Sequence, residues 1–501
     1  MRRSGILFPI FSLPGKYGIG CFSENARRFI DFLEEAGQSC WQILPIGPTG
    51  YGDSPYQAFS TFAGNPYFID LEALIGKGLL TREECDAADL ADETVPGIGS
   101  RIDYGKQYLS RTDLLRRAFS RSRHYEESSY REFCTQNEYW LTDYAMFMAI
   151  KNAHGGASLH TWEEPIRRRD PETIEQCKEK YAEEIGFYRF IQYEFMLQWK
   201  QLREYARSKG IRIIGDIPIY VSDDSADFWA HPDLFQVDER GNIRKIAGVP
   251  PDGFSADGQL WGNPLYEWEN HAKDGYDWWI RRIGKCRELY DVIRLDHFRG
   301  FDECFTIDAG ETTAANGTWQ KGPGMKLFSA LHEQFPDLKI IAEDLGYVTD
   351  TVRALVRDTG YPNMKVLEFA FDSRDSTGRL EYLPYSYNRN CVVYTGTHDN
   401  ETLAGWLKSI LPEEKQEVRA YFDVMSDDPK EYVRKMIKAA HACVADLCII
   451  PLQDYLALDN RARINHPSTF GNNWTWRVDP AMLSGELARE IREMTRLYGR
   501  Q

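Results

Sequence analysis

The segment DVIRLDHF, residues 291–298, sets Arg294, Asp296 and His297 among Val292, Ile293 and Leu295. Three other apolar runs end the same way. IRIIGDIPI carries Asp216, LKIIAEDL carries Glu343 and Asp344, and CVVYTGTHD carries His398 and Asp399. A single acid after a strand is often a helix cap, and a lone histidine there is more often a satisfied hydrogen-bonding residue than a ligand. Four such ends meeting at one mouth are another matter, because close carboxylates repel and cost stability unless function maintains them. Alternation along a strand puts Arg294 and Asp296 on one face and Leu295 and His297 on the other. An arginine beside a carboxyl lowers its pKa by about 1 to 3 units, which would keep Asp296 charged, as a nucleophile must be. Glu343, with other anions nearby and an apolar run behind it, should hold its proton more tightly, as a general acid does. The bland alternative for AEDLG is that Asp344 caps the next helix while Glu343 pairs with a lysine.

Three carboxyl groups, an arginine and a histidine suit glycosidic bond cleavage with retention. One carboxylate attacks the anomeric carbon, and a second carboxyl about 5 to 5.5 Å away protonates the leaving oxygen and later deprotonates the acceptor. A third acid beside a histidine can bind sugar hydroxyls and help distort the ring. With 13 Trp and 28 Tyr, the chain has ample flat rings to stack on sugar faces. The ten histidines include no H-x-H pair and no H-E-x-x-H helix, so a catalytic metal is poorly supported. No phosphate-binding G-x-x-x-x-G-K-[ST] is present. Neither a metal nor an organic cofactor is implied.

The elements that must position these groups are short runs of Ile, Val, Leu and aromatics. They read as strands at CWQILPI (40–46), YFIDL (67–71), IRIIGDIPI (211–219), DVIRLDHF (291–298), LKIIAEDL (338–345), MKVLEFAF (364–371), CVVYTGTHD (391–399) and DLCIIPLQD (446–454). Near-continuous apolar strands alternating with amphipathic helices indicate a parallel sheet covered on both faces. Eight of them make an α/β, (β/α)8 TIM barrel the leading topology, with active-site residues at the C-terminal strand ends. A doubly wound open sheet is the alternative, without any G-x-G-x-x-G to give it a dinucleotide site. The whole chain, 1–501, reads as one catalytic barrel. Residues 72–205 form a mostly helical insertion, and residues 221–290 a loop-rich insertion that would line the cleft. Residues 481–501 read as a last amphipathic helix, with no room for a C-terminal β-domain.

The 501 residues carry a net charge of −16, which disfavours nucleic acid or an anionic membrane as partner. Ten cysteines without C-x-x-C spacing suggest buried, reduced thiols in a cytoplasmic protein. The start, MRRSGILFPIFSLPGKYGIG, imitates a signal peptide until Pro9, Pro14, Gly15 and Gly18 interrupt it. No segment approaches the roughly 18 to 20 apolar residues of a membrane helix.

RLDHF, AEDLG and THDN, in this order, resemble the signature regions of the α-amylase clan. SPYQAFSTFAGNPYFIDL, GDIPIYV, GVPPDGFSADGQLWGNPLY and RINHPSTFGNNWTWR narrow the resemblance to the 4-α-glucanotransferases called amylomaltases or disproportionating enzymes. It runs from about Gly5 to Arg477. The resemblance implies that Asp296 is the nucleophile, Glu343 the acid/base and Asp399 the acid that stabilises the transition state. It implies substrate-binding roles for Tyr56, Asp216, Phe254, Trp261, Arg294, His297, His398 and Asn465. Ser468 stands where a glycine is expected in some members. The substrates implied are maltooligosaccharides, amylose and glycogen-derived α-1,4-glucans, with an acceptor sugar taking the place of water. A retaining α-glucan hydrolase with the same residues, and a catalytically silent glycan-binding barrel, remain as rival readings; the second would be expected to lack one of the three acids.

Overall fold

The computed structural model describes residues 2–50, 52–251, 257–346, 348–373, 378–469 and 471–501. Eight parallel strands close a barrel in sequential order. They are β1 (Arg3–Leu7), β2 (Cys40–Gln42), β3 (Arg212–Pro218), β4 (Val292–Asp296), β5 (Ile340–Ala342), β6 (Asn363–Val366), β7 (Cys391–Tyr394) and β8 (Leu447–Pro451). Leu7, Cys40, Ile214, Ile341, Met364, Val366, Val392, Tyr394 and Ile449 cluster together, at least one residue from seven of the eight strands. Helices such as Glu24–Glu35, Asp277–Leu289 and Gly485–Leu497 bury their apolar faces on the outside.

Two strand assignments exchange places. YFIDL is not a strand: Asn65 caps a 3-10 turn over Pro66–Phe68, and Asp70 caps the helix Leu71–Gly76. Proline at the first helical position and two acceptor side chains at capping distance override a five-residue apolar run. The missing strand is RSGIL, the segment that imitates a signal peptide. It pairs with β8 on one side and β2 on the other. Gly5 makes the close approach to β2 possible, since a Cβ there would lie 2.5 Å from the Cys40 carbonyl oxygen.

Residues 72–205 hold helices, among them Glu138–Ala153 and the long Ala182–Ser208, and also a small antiparallel pair, Glu93–Val95 with Gly99–Arg101, joined by Trp476–Arg477. Part of the Pro- and Gly-rich stretch 248–264 differs from the loop expected of it. Lys245–Val249 and Gln259–Pro264 pair antiparallel, and Glu303–Asp308 and Thr318–Lys321 extend them into a four-stranded sheet. Gly248 again permits the contact, its Cβ position lying 2.3 Å from the Gln259 carbonyl oxygen. This sheet stands over the mouth of the barrel and carries Trp261.

Candidate active site

Register places the first charges. Asp216 on β3 and Arg294 on β4 are paired residues, so their side chains leave the sheet side by side. Arg294 Nη1 lies 2.8 Å from both oxygens of Asp216 and 2.8 Å from Oδ1 of Asp296, two residues along its own strand. Arg294 and Asp216 are fully buried, while Asp296 faces the opening with 26% of its side chain exposed. Burial opposes charge on Arg294, but Asp216 and Asp296 more than offset it and hold the guanidinium charged. Burial raises Asp216 above the usual carboxyl range, against the pull of Arg294. One cation thus serves two acids, and the exposed one keeps free lone pairs towards the cleft.

Glu343 follows β5, the next strand round the barrel. Its oxygens accept the backbone N–H groups of His297 at 2.6 Å and Leu345 at 2.8 Å. Burial raises its pKa to about 7; Arg294 pulls the other way and Asp296 adds to the rise. No lysine pairs with it among the described residues. Asp344 accepts N–H groups of Met364 and Asn363, and Thr349 rather than Asp344 caps the next helix. The two carboxyls therefore sit in different environments: Asp296 is bonded directly to the arginine, whereas half-buried Glu343 is held by two backbone N–H groups.

His297 breaks the alternation that assigned it to the far face. Its backbone is left-handed, φ 52°, ψ 52°, a conformation that costs a non-glycine residue about 1 to 3 kcal/mol. The turn aims its N–H at Glu343 and brings its ring edge-on to Trp261 at 4.7 Å. Burial lowers the imidazole to about 4, so it is neutral.

The third acid hangs from the loop after β7. His398 Nε2 lies 3.3 Å from Asp399 Oδ2 and 2.9 Å from the Tyr56 hydroxyl, which in turn lies 2.9 Å from Asp216 Oδ2. If Tyr56 gives its single proton to Asp216, His398 must donate through Nε2. Burial works against a charge on His398, but Asp399 raises its pKa above the ordinary value. Burial likewise opposes the Asp399 carboxylate, yet His398 and the Asn465 amide, 2.7 Å from Oδ1, hold it well below the usual range. Arg463 fixes this corner by donating to the backbone carbonyls of Asp399 and Asn465.

Asp296, His297, Asp399, Tyr56, Trp261 and Asn465 line one cleft of about 630 Å³. Asp216, Arg294 and His398 stand behind it, and Glu343 adjoins it through the backbone N–H of His297. Phe254 lies outside the described residues. Ser468 lines the cleft at φ 61°, which is why a glycine would suit that position. Two aromatics escaped the sequence reading. Tyr220, two residues after β3, packs near Trp261 and His297, and Trp474 packs on Tyr56 and His398. The signal for Trp474 was present in FGNNWTWR, where a left-handed tryptophan follows Gly471 and two asparagines. Among the described residues, no group of three or more His, Cys, Asp or Glu side chains is arranged to hold a metal ion.

A family model described as 4-alpha-glucanotransferase matches residues 8–483. The 4-alpha-glucanotransferase of Clostridium butyricum is 45% identical over 493 residues, covering 98% of this chain and 99% of that one. That of Thermus thermophilus is 43% identical over 503 residues, covering 98% of each. The solved amylomaltase from Streptococcus agalactiae, in complex with acarbose, superposes with a TM-score of 0.94 at 40% identity over the whole of both chains.

Proposed function

The chain belongs to the 4-alpha-glucanotransferase family and moves segments of α-1,4-glucan by the retaining route; we propose that Asp296 is its nucleophile, Glu343 its acid/base and Asp399 the acid that steadies the transition state. The observation that carries this division is the contrast between the Arg294-held Asp296 and Glu343, raised to about 7 by burial. In the first step the Glu343 proton goes to the glycosidic oxygen as Asp296 attacks the anomeric carbon, the glycosidic bond breaks and a glycosyl ester forms. In the second, Glu343 takes the proton of an acceptor 4-hydroxyl, whose oxygen attacks the same carbon and releases Asp296. Asp399, with its paired histidine, faces the sugar hydroxyls and the positive charge that develops on the ring.

The donors on this reading are maltooligosaccharides, amylose or glycogen-derived α-1,4-glucans, and the acceptor is glucose or a maltooligosaccharide. Tyr56, Trp261, Tyr220 and Trp474 supply flat apolar faces that bind sugar and keep water from the ester. The neutral ring of His297 lines the same wall. The protein works in the cytoplasm, away from membranes and nucleic acid. All ten cysteines are free, nine of them buried, and no described helix is long and apolar enough to cross a membrane.

A time course on pure maltotriose tests the reading. Free glucose and a ladder of longer oligosaccharides, with total reducing ends constant, are expected. A rise in reducing ends without longer products would remove the sugar-acceptor role of the aromatic wall.

A further inference from the structure

The face of the barrel opposite the cleft, where the strands begin, holds a cavity of about 990 Å³, larger than the cleft itself. Its lining is basic, in a chain of net charge −16. Some of these cations are spoken for: Arg207 pairs with Asp291 at 2.8 Å, Arg287 with Asp337 at 2.6 Å and Lys285 with Glu288 at 2.9 Å. Three are not. Arg3 opens β1, Arg212 opens β3 and Lys339 directly precedes β5, and none has an ion-pair or hydrogen-bond partner for its side chain among the described residues.

Arg3 and Arg212 come from the strands on either side of β2; burial raises the Cys40 thiol between them, and Ser39 and then the two arginines only partly oppose the rise. Arg3 and Arg212 are half-buried, where like charges repel at reduced screening, and Lys339 is exposed at the rim. A barrel floor is expected to carry groups that stabilise the fold, and uncompensated cations do the reverse. Arg203, also in the lining, is paired with Asp291 at 3.1 Å and donates to the carbonyls of Arg287, Glu288 and Tyr290. A concave site lined by one sign of charge concentrates the opposite ion. Guanidinium groups favour phosphate, which they meet with paired, charge-assisted hydrogen bonds. Tyr139 and Phe335 also line the cavity, with Arg281 over the first ring at 5.6 Å and Arg287 over the second at 4.6 Å. An extended polyanion is disfavoured by the net charge of −16 on the chain as a whole.

We propose that this cavity binds a small anion bearing two or more phosphate groups, on the side of the barrel away from the glucan cleft. A nucleoside triphosphate, a sugar bisphosphate and free polyphosphate share that chemistry.

Calorimetric titration of the full chain at low ionic strength, with inorganic tripolyphosphate, ATP and glucose 1,6-bisphosphate in turn, separates these sources. At least one should bind saturably at one site per chain. The one that binds tightest identifies the source. Loss of charge-assisted bonds in the double variant Arg212→Ala, Lys339→Ala should weaken binding by about tenfold or more, while Arg28→Ala, at an exposed side chain outside the cavity lining, should not. Thermal melting establishes that the double variant folds, and Lys339→Gln alone replaces it if it does not. No saturable heat with any of the three anions, or equal weakening by Arg28→Ala, would overturn the proposal.

Discussion

The two sides of the cleft hold their acids by different means. On the β4–β5 side, Asp296 and Glu343 sit at strand ends, and their partners are an arginine fixed by strand register and two backbone N–H groups. On the β7 side, Asp399 sits on a loop, and its position depends on side chains from another loop, Asn465 and Arg463, more than sixty residues away in sequence. The first side has its electrostatics built into the barrel. The second is assembled from parts, each removable by itself. On the proposed roles, making and breaking bonds falls to the strand-borne side, and ring binding to the side assembled from loops.

That contrast fails first at Asp296 if it is mistaken. Asp296→Asn removes the nucleophile but keeps the shape, and turnover should fall by a factor on the order of 10⁵, with maltotriose binding retained by calorimetry. Equal loss of binding and turnover would make the residue a substrate anchor.

Glu343→Gln should cost about 10³ in turnover, within the range of a general acid. The pH profile sharpens this case. Glu343 must be protonated in the first step, and its pKa is about 7, so kcat/KM should be full below that value and fall as pH rises through it. His398, raised above its ordinary value, loses its proton in the same direction. In Glu343→Gln the remaining activity should lose the limb near pH 7. A limb that survives belongs to another group.

Asn465→Ala tests the assembled side. A lost hydrogen bond to a charged group is worth about 1.5 to 3 kcal/mol, so kcat/KM should fall by roughly tenfold to a hundredfold, with KM rising. A loss as large as that of Glu343→Gln would erase the distinction between the two sides. Trp261→Ala should have the smallest effect on total turnover. Its mark is in the products, a few-fold rise in released reducing ends on maltotriose as water gains access to the ester.

The same contrast governs what the sequence made legible. Strand-borne groups could be found by pattern, because an apolar run that stops at an acid is visible, and period two correctly joined Arg294 to Asp296. It failed one residue later, where the chain leaves the strand and His297 turns left-handed. Glu343 and Asp399 were picked out as candidates because each stands just past the end of an apolar run. Tyr220 and Trp474 were not, since an aromatic in a loop reads as core until the packing is seen. RSGIL was passed over because a five-residue strand next to two arginines and a proline looks like a leader. YFIDL was taken in its place because a short apolar run does not by itself tell strand from helix; the capping by Asn65 and Asp70 decides it. Part of the glycine- and proline-rich stretch proved to be sheet, with Gly248 serving close strand contact.

The assignment of Asp296 as nucleophile and Glu343 as acid/base is tested most directly by trapping the ester. Glu343→Gln incubated with maltotriosyl fluoride has a leaving group that needs no acid, and it lacks the base that would activate an acceptor. The glycosyl-enzyme should accumulate, and peptide mass spectrometry should find a maltotriosyl adduct on the peptide containing Asp296 and absent in Asp296→Asn. An adduct on Asp399 or Asp216, or fluoride release with no covalent adduct at any time, would contradict the account.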